Sequence, residues 1–96
     1  MYARITTYTF KPEKKAEAEA LANELTPEIM AVPGIKHWLN CGTEDGDGVV
    51  IAVYESREAA EAATDTARAM FARFADYLAS EPRPKGFEVV AHGSND

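Results

Sequence analysis

Few residues in this sequence have types and spacings suited to chemistry. His37 is one of two histidines, and it shares a predicted strand face with Ile35 and Leu39. An imidazole in that position could act as a base near neutral pH. A hydrogen-bonded histidine of the core or of an interface would fit the same pattern, so both interpretations stay open. His92 lies beside the polar C-terminal tail, where a structural role is favoured.

The other reactive residue types do not form a recognisable centre. Cys41 shares the predicted strand face of His37, but four residues of strand separate them by about 13 Å, too far for one metal ion. Cys41 also lacks a nearby base or helix terminus that would activate its thiol. The run E-D-G-D-G resembles a calcium loop only superficially, because the alternating ligands and the glutamate at position twelve are missing. We therefore predict no metal site and a solvated hairpin turn.

Length and charge narrow the classes of function. The 96 residues should form a single domain, 1–96, with a thin core. The net charge of −6 argues against binding to nucleic acid or to anionic membranes. One cysteine cannot form an internal disulfide, and neither a signal peptide nor a spanning segment is recognisable. These features predict a cytoplasmic protein.

Six predicted elements position the candidate residues, in the order β-α-β-β-α-β. Apolar, β-branched and aromatic residues predict four strands, over residues 2–10, 35–41, 47–55 and 87–92. Apolar residues at spacings of three and four predict two helices, one opening at Pro12 and one running from Ser56 to about Ala79. Pro27 should kink the first helix or start a new turn near Thr26. The proline-containing residues 80–86 should form a stiff connector.

This order of elements favours the ferredoxin-like fold, an α+β domain. Its antiparallel four-stranded sheet carries both helices on one face. The third predicted strand, V-V-I-A-V-Y, is apolar on both faces and should lie inside the sheet. The sheet face without helices would expose apolar side chains, which a second subunit could cover. We therefore predict a homodimer that packs sheet to sheet.

Four pieces of sequence occur in an order that is typical of one known family. They are K-P-E-K after the first strand, V-P-G-I before the second, Trp38 within it, and Y-E-S-R-E-A-A where the third strand meets the second helix. Together they resemble the antibiotic biosynthesis monooxygenase superfamily of dimeric α/β barrels, over nearly the whole chain. The resemblance implies a ferredoxin-like protomer, a barrel-like dimer and a cavity between sheet and helices.

The resemblance also implies a cofactor-independent monooxygenase that acts on an aromatic or quinol-type small molecule. Such an enzyme ionises a phenolic substrate so that it can react with O₂, and it needs a base or a donor that stabilises the phenolate. Arg4 and His37 are therefore the candidate catalytic residues. The ligand-binding candidates could line the implied cavity as polar or aromatic side chains: Thr6, Tyr8, Tyr54, Phe71 and Phe74.

Two alternatives to this activity stay open. The same aromatic residues would equally form a plain core, and the protein would then be a non-catalytic small-molecule-binding or accessory homodimer. A non-oxidative isomerase or decarboxylase on the same scaffold is a third possibility.

The haem-degrading branch of the superfamily uses residues that this sequence lacks. The resemblance places the branch's asparagine near Thr6, its tryptophan at Tyr54 and its histidine at about Ala63 or Thr64. The second predicted helix contains no histidine and offers no imidazole to haem iron. We predict no haem degradation and no cofactor.

The orientation of the second strand is not fixed by its sequence. Trp38 and Asn40 share the strand face opposite His37. If His37 faces the helices, Trp38 lies in the dimer interface, where tryptophan is a common anchor. If the strand is turned the other way, Trp38 lines the cavity.

Overall fold

The computed structural model describes residues 1–95, and it has the predicted α+β architecture. A four-stranded antiparallel sheet in the order β2-β3-β1-β4 carries the helices on one face, which confirms the ferredoxin-like fold. The strands are β1 Tyr2–Thr9, β2 Ile35–Gly42, β3 Asp47–Tyr54 and β4 Arg83–Glu88. The helices are α1 Lys15–Met30, α2 Arg57–Ala62 and α3 Thr64–Ala72, with short 3-10 turns at Pro12–Lys14 and Ala75–Tyr77. No helix in residues 1–95 is long and apolar enough to cross a membrane.

The first helix forms from the predicted apolar stripe. Its buried residues recur every three or four positions, which turns them all toward the sheet: Ala18, Ala22, Leu25 and Ile29. Proline at the start of the preceding 3-10 turn fits there because its missing N–H would have no partner. The helix continues through Pro27, only three residues before its last residue. The predicted new turn near Thr26 is therefore absent.

The second predicted helix is three separate pieces. Ser56 caps α2 by accepting a hydrogen bond from the Ala59 backbone N–H at 3.0 Å, as its residue type predicts. The chain leaves helical geometry at Ala63, continues as α3 and ends in the 3-10 turn before Leu78. The prediction of one continuous helix was wrong, because tertiary contacts at the break override the helix propensity of the alanine-rich sequence.

The predicted position of the fourth strand was also wrong. The strand comprises Arg83–Glu88 rather than residues 87–92, and it contains Pro84 and Gly86. It lies at the edge of the sheet and pairs with β1 alone, with Pro84 opposite Thr6. An edge strand tolerates a proline because one side of its backbone needs no hydrogen-bond partner. Residues 83–86 of the predicted connector therefore belong to the strand.

The core lies between the sheet and the helices and is largely aromatic at one end. Phe10 packs between Tyr8 and Phe74, with ring centroids 4.5 Å and 6.0 Å away. Small residues fill the other end, where α2 approaches β3 closely through Ala60 and Ala52. The opposite sheet face has no helix over it, and Leu39 on β2 is 49% exposed.

Candidate functional site

The orientation of β2 decides which residues reach the core side of the sheet. A β-bulge between Ile35 and His37 shifts the register, so that Ile35 and Trp38 both pack against the helix-side core. Trp38 therefore lines the cavity rather than the open face. Placing Ile35 on the face of His37 was wrong, because strict alternation does not hold across a bulge.

His37 lies on the open side of the sheet, away from the cavity. It is exposed, and its ring centroid is 5.8 Å from that of His92 in the C-terminal tail. The sheet itself separates this imidazole from the aromatic core. The structure thus does not bring His37 together with the other candidate residues.

A cavity of about 70 Å³ lies between the sheet and the helices, and we call it the inner cavity. Strands β1, β2 and β3, helices α1 and α3, and the residue that ends α2 contribute to its walls. Its principal side chains are Arg4, Thr6, Tyr8, Trp38, Asn40, Val50, Tyr54, Ala63, Met70, Phe71 and Phe74. All five predicted ligand-binding residues are among them, together with Arg4. The lining that the described residues provide includes no carboxylate and no imidazole.

Arg4 is the cationic group of the inner cavity. Its Nη2 donates to the Ala60 carbonyl oxygen at 2.6 Å and to Thr64 Oγ1 at 3.1 Å, at the break between α2 and α3. Its guanidinium carbon lies 5.7 Å from the centre of the Tyr54 ring. Its Nη1 is buried and has no hydrogen-bond partner among the described residues. A buried, unpartnered donor on a positive charge is costly, and an oxygen atom brought within hydrogen-bond distance of Nη1 would satisfy it.

Two tyrosines give the inner cavity neutral hydroxyl groups. Burial raises the pKa of Tyr54, although the positive charge of Arg4 partly opposes this. Burial also raises the pKa of Tyr8, against the effect of its hydrogen bond with Asn40. Both phenols therefore stay protonated at neutral pH and can act as hydrogen-bond donors rather than as bases.

Tyr8 reaches across β3 to the side chain of Asn40. Its hydroxyl donates to Asn40 Oδ1, although β1 and β2 are not neighbouring strands. The residue opposite Tyr8 on the intervening strand is Gly48, and a methyl group there would lie only 2.6 Å from Tyr8 Cε1. Glycine at this position therefore lets the Tyr8 ring lean over β3. Sequence reasoning missed this pairing, and the only signal was the tyrosine–glycine register.

A second pocket lies on the other side of Tyr8 and Asn40, and we call it the outer pocket. It measures about 380 Å³ and lies between α1 and the β2–β3 hairpin. Four of its residues also line the inner cavity: Tyr8, Phe10, Trp38 and Asn40. The rest are mostly polar: Lys15, Glu19, Ala22, Asn23, Thr26, Gly42, Thr43, Gly46 and Asp47. No group of three or more potential metal ligands occurs within residues 1–95.

Comparison with known proteins identifies one family. Residues 1–77 match the sequence profile of the family described as Antibiotic biosynthesis monooxygenase. No functionally curated protein matches the sequence.

Solved structures share the fold at low sequence identity. A protein of unknown function from Nitrosomonas europaea is 20% identical, with 99% of this chain and 94% of that chain covered and a TM-score of 0.84. A protein of the same organism, provisionally named an antibiotic biosynthesis monooxygenase, is 19% identical, with 95% and 100% covered and a TM-score of 0.80. A protein from Caulobacter crescentus with the same provisional name is 24% identical, with 94% and 90% covered and a TM-score of 0.77. At these identities the likeness establishes the fold alone.

Proposed function

Because this chain belongs to the antibiotic biosynthesis monooxygenase family, we propose that it is a cofactor-independent monooxygenase of a phenolic or quinol-type aromatic compound. The substrate would bind on the helix side of the sheet, against the aromatic side chains of the inner cavity. An apolar site with a few directed polar groups is the usual form of a small-molecule site.

The observation that carries this proposal is the unpartnered Nη1 of Arg4. A substrate phenolate placed against Nη1 would complete the hydrogen bonding of the guanidinium and meet its positive charge. Charge that is stabilised in a water-poor cavity contributes more than the same contact in water. The two hydrogen bonds of Nη2 hold the guanidinium in place, so little reorganisation would accompany the reaction.

The proposed reaction needs no reductant other than the substrate. The ring carbon opposite the ionised phenol oxygen loses its one hydrogen and becomes a carbonyl carbon, and the phenol carbon becomes the second carbonyl of a quinone. This oxidation gives four electrons to O₂: one oxygen atom becomes the new carbonyl oxygen, and the other leaves as water with the ring hydrogen and the phenol hydrogen. The protein's part is to bind the ring, to favour its ionised form and to keep bulk water away.

The phenol proton has no acceptor among the side chains that line the inner cavity. Tyr8 and Tyr54 are neutral donors, and His37 lies on the other side of the sheet, so it is left out of this mechanism. Arg4 would instead lower the pKa of the bound phenol, since an opposite charge within about 4–6 Å favours ionisation by about 1–3 pKa units. The rate should therefore rise with pH until the bound substrate is fully ionised.

An oxygen-electrode screen against quinols and hydroxynaphthalenes tests the proposal. We expect O₂ uptake whose rate falls by about 10²–10³-fold in Arg4→Met. Lys36→Ala should leave the rate unchanged, because Lys36 is exposed on β2 and lines neither pocket. With ¹⁸O₂, one labelled atom should enter the product and one should enter water. Absence of uptake, with no effect of the compounds on the melting temperature, would refute the activity.

A non-catalytic binding protein is the second candidate. The specific observation in its favour is the absence of a carboxylate or imidazole from the described lining of the inner cavity. The same ligands would raise the melting temperature of such a protein, and none of them would support O₂ uptake.

We also propose that the protein forms a homodimer through its open sheet faces. The face without helices carries Leu39 at 49% exposure and Phe87 at 41% exposure, beside half-buried residues of β3. Burying such side chains contributes about 25 cal/mol per Å². Light scattering behind a sizing column should give twice the chain mass of 10.5 kDa, and a mass of one chain at micromolar concentration would contradict the dimer.

A further inference from the structure

We propose that the outer pocket is the entrance and second compartment of the ligand site, and that Tyr8, Asn40 and Trp38 form a partition that opens when ligand enters. The ligand would place an aromatic ring on the inner side and an uncharged polar substituent, such as a hydroxyl or carbonyl, in the outer pocket. This deepens the proposed function and rests on it for the aromatic ring.

The volumes show why one compartment is not enough. The inner cavity of about 70 Å³ is roughly half the size of the ~150 Å³ cavity that accepts benzene. The outer pocket of about 380 Å³ lies within the ~300–1,000 Å³ range of ordinary ligand sites. The two share the side chains of Tyr8, Asn40 and Trp38 as a common wall. Parting that wall would give an aromatic ligand the room that the inner cavity lacks.

The wall is built from side chains that can move without unfolding a strand. Tyr8 is held over Gly48 by one side-chain hydrogen bond, to Asn40 Oδ1. Trp38 and Asn40 are only half-buried. Rotating Asn40 breaks no backbone hydrogen bond, because the ladder between β2 and β3 is made by the main chain. Once the Tyr8 hydroxyl no longer donates to Asn40, it could donate a hydrogen bond to the ligand.

The charges of the outer pocket indicate a neutral substituent. Lys15 and Glu19 lie 3.5 Å apart as an ion pair, and Asp47 accepts a hydrogen bond from Thr9 Oγ1 at 3.3 Å. One cation and two carboxylates leave the pocket with an excess of negative charge, which repels an anion. The amide N–H groups of Asn40 have no partner among the described residues and can donate to a hydroxyl or carbonyl oxygen.

The chain has a built-in reporter for this wall, because Trp38 is its single tryptophan. Stopped-flow fluorescence with excitation of tryptophan would follow the binding of 2,6-dihydroxynaphthalene, a neutral two-ring probe. Asn23→Tyr narrows the outer pocket from the exposed side of α1 and should slow association at least tenfold. The matched variant Ala75→Tyr, exposed in the second 3-10 turn and outside both pockets, should leave the rate unchanged.

Two further measurements complete the test. Asn40→Ala removes part of the partition and should speed association at least tenfold. Naphthalene-2,6-dicarboxylate carries a carboxylate at each end, so that one of them must enter the outer pocket, and it should bind at least tenfold more weakly than the diol. Equal association rates for Asn23→Tyr and Ala75→Tyr, equal affinity for the two probes, or no Trp38 response at millimolar diol would each overturn the inference.

The outcome is distinguishable from failure of the proposed function, since these measurements follow binding without turnover. If the diol binds as described and no compound supports O₂ uptake, the two-compartment site stands and the oxygenase activity fails. If O₂ uptake occurs and is insensitive to Asn23→Tyr, the activity stands and the two-compartment site fails.

Discussion

Replacing Arg4 with methionine separates a ligand-binding role of its guanidinium from a purely structural one. Methionine keeps an apolar side chain of similar length against Tyr54 but removes the charge and every N–H donor. In a structural role Arg4 would act through Nη2, which links β1 to the end of α2 and the start of α3. In the proposed role it acts through Nη1, which has no partner among the described residues.

The two roles predict different magnitudes. Each lost hydrogen bond to a charged donor lowers the free energy of unfolding by about 1.5–3 kcal/mol. Removing the buried, unpartnered Nη1 raises it by about 1–3 kcal/mol. Loss of the contact with the Tyr54 ring adds about 0.5–1 kcal/mol. Nη2 makes two such hydrogen bonds, so we expect Arg4→Met to lower the free energy of unfolding by about 3 kcal/mol. The proposed role also predicts a loss of about 10²–10³-fold in kcat in the folded variant, as for loss of an oxyanion donor, which a purely structural role would not produce.

The deciding assay is the pKa of a bound nitrophenol, read from the visible absorbance of its ionised form. Arg4 favours the phenolate, so the pKa of the bound phenol should rise by about 1–3 pKa units in Arg4→Met. Arg57→Met is the matched control, because Arg57 is an exposed guanidinium on α2 that lines neither pocket. A bound pKa that is the same in the wild type and in Arg4→Met would refute the reasoning, and so would an equal rise in Arg57→Met.

Three further perturbations test the surrounding structure. Gly48→Ala should displace the Tyr8 ring and lower the free energy of unfolding by about 1–3 kcal/mol. Urea unfolding measures this change, and a midpoint equal to that of the wild type would contradict the close packing of Tyr8 on Gly48. Burial raises the pKa of Tyr54, so the folded protein retains a proton that the unfolded chain loses above about pH 10, and stability falls above that pH. In Tyr54→Phe the free energy of unfolding, measured by denaturant titration at several pH values, should fall less steeply with pH. An identical pH dependence in the wild type and the variant would contradict the contribution of Tyr54. Leu39→Glu should halve the mass seen by light scattering, whereas Met30→Glu, 43% exposed at the end of α1, should leave the dimer intact.

Sequence patterns were reliable where burial and local chemistry agree. The apolar stripe that includes Ala18 and Leu25 predicted the buried face of α1, and Ser56 predicted the start of α2. The doubly apolar third strand predicted a place inside the sheet, which β3 has. Each of these depends on neighbours within a few residues, or on burial common to the whole element.

Sequence patterns failed where a distant partner sets the geometry. The strand at Arg83–Glu88 forms despite Pro84 because β1 supplies its ladder at the sheet edge. The predicted long second helix is interrupted at Ala63. Near this break the guanidinium of Arg4, which is distant in sequence, donates a hydrogen bond to the Ala60 carbonyl oxygen. Helix and strand propensities depend on residue type alone, so they include neither the pairing with β1 nor the hydrogen bond from Arg4.

The sequence by itself determined the order of the elements, the ferredoxin-like class and the residue types of an aromatic cavity. Only the tertiary structure decided that Trp38 faces that cavity and His37 does not, because a bulge in β2 breaks the alternation that a sequence can display. The tertiary structure also decided the contact between Tyr8 and Asn40 across β3, because this contact needs a residue without a side chain, Gly48, in the intervening strand. Periodicity along one segment specifies which faces are buried, whereas a site depends on how separate segments align in space.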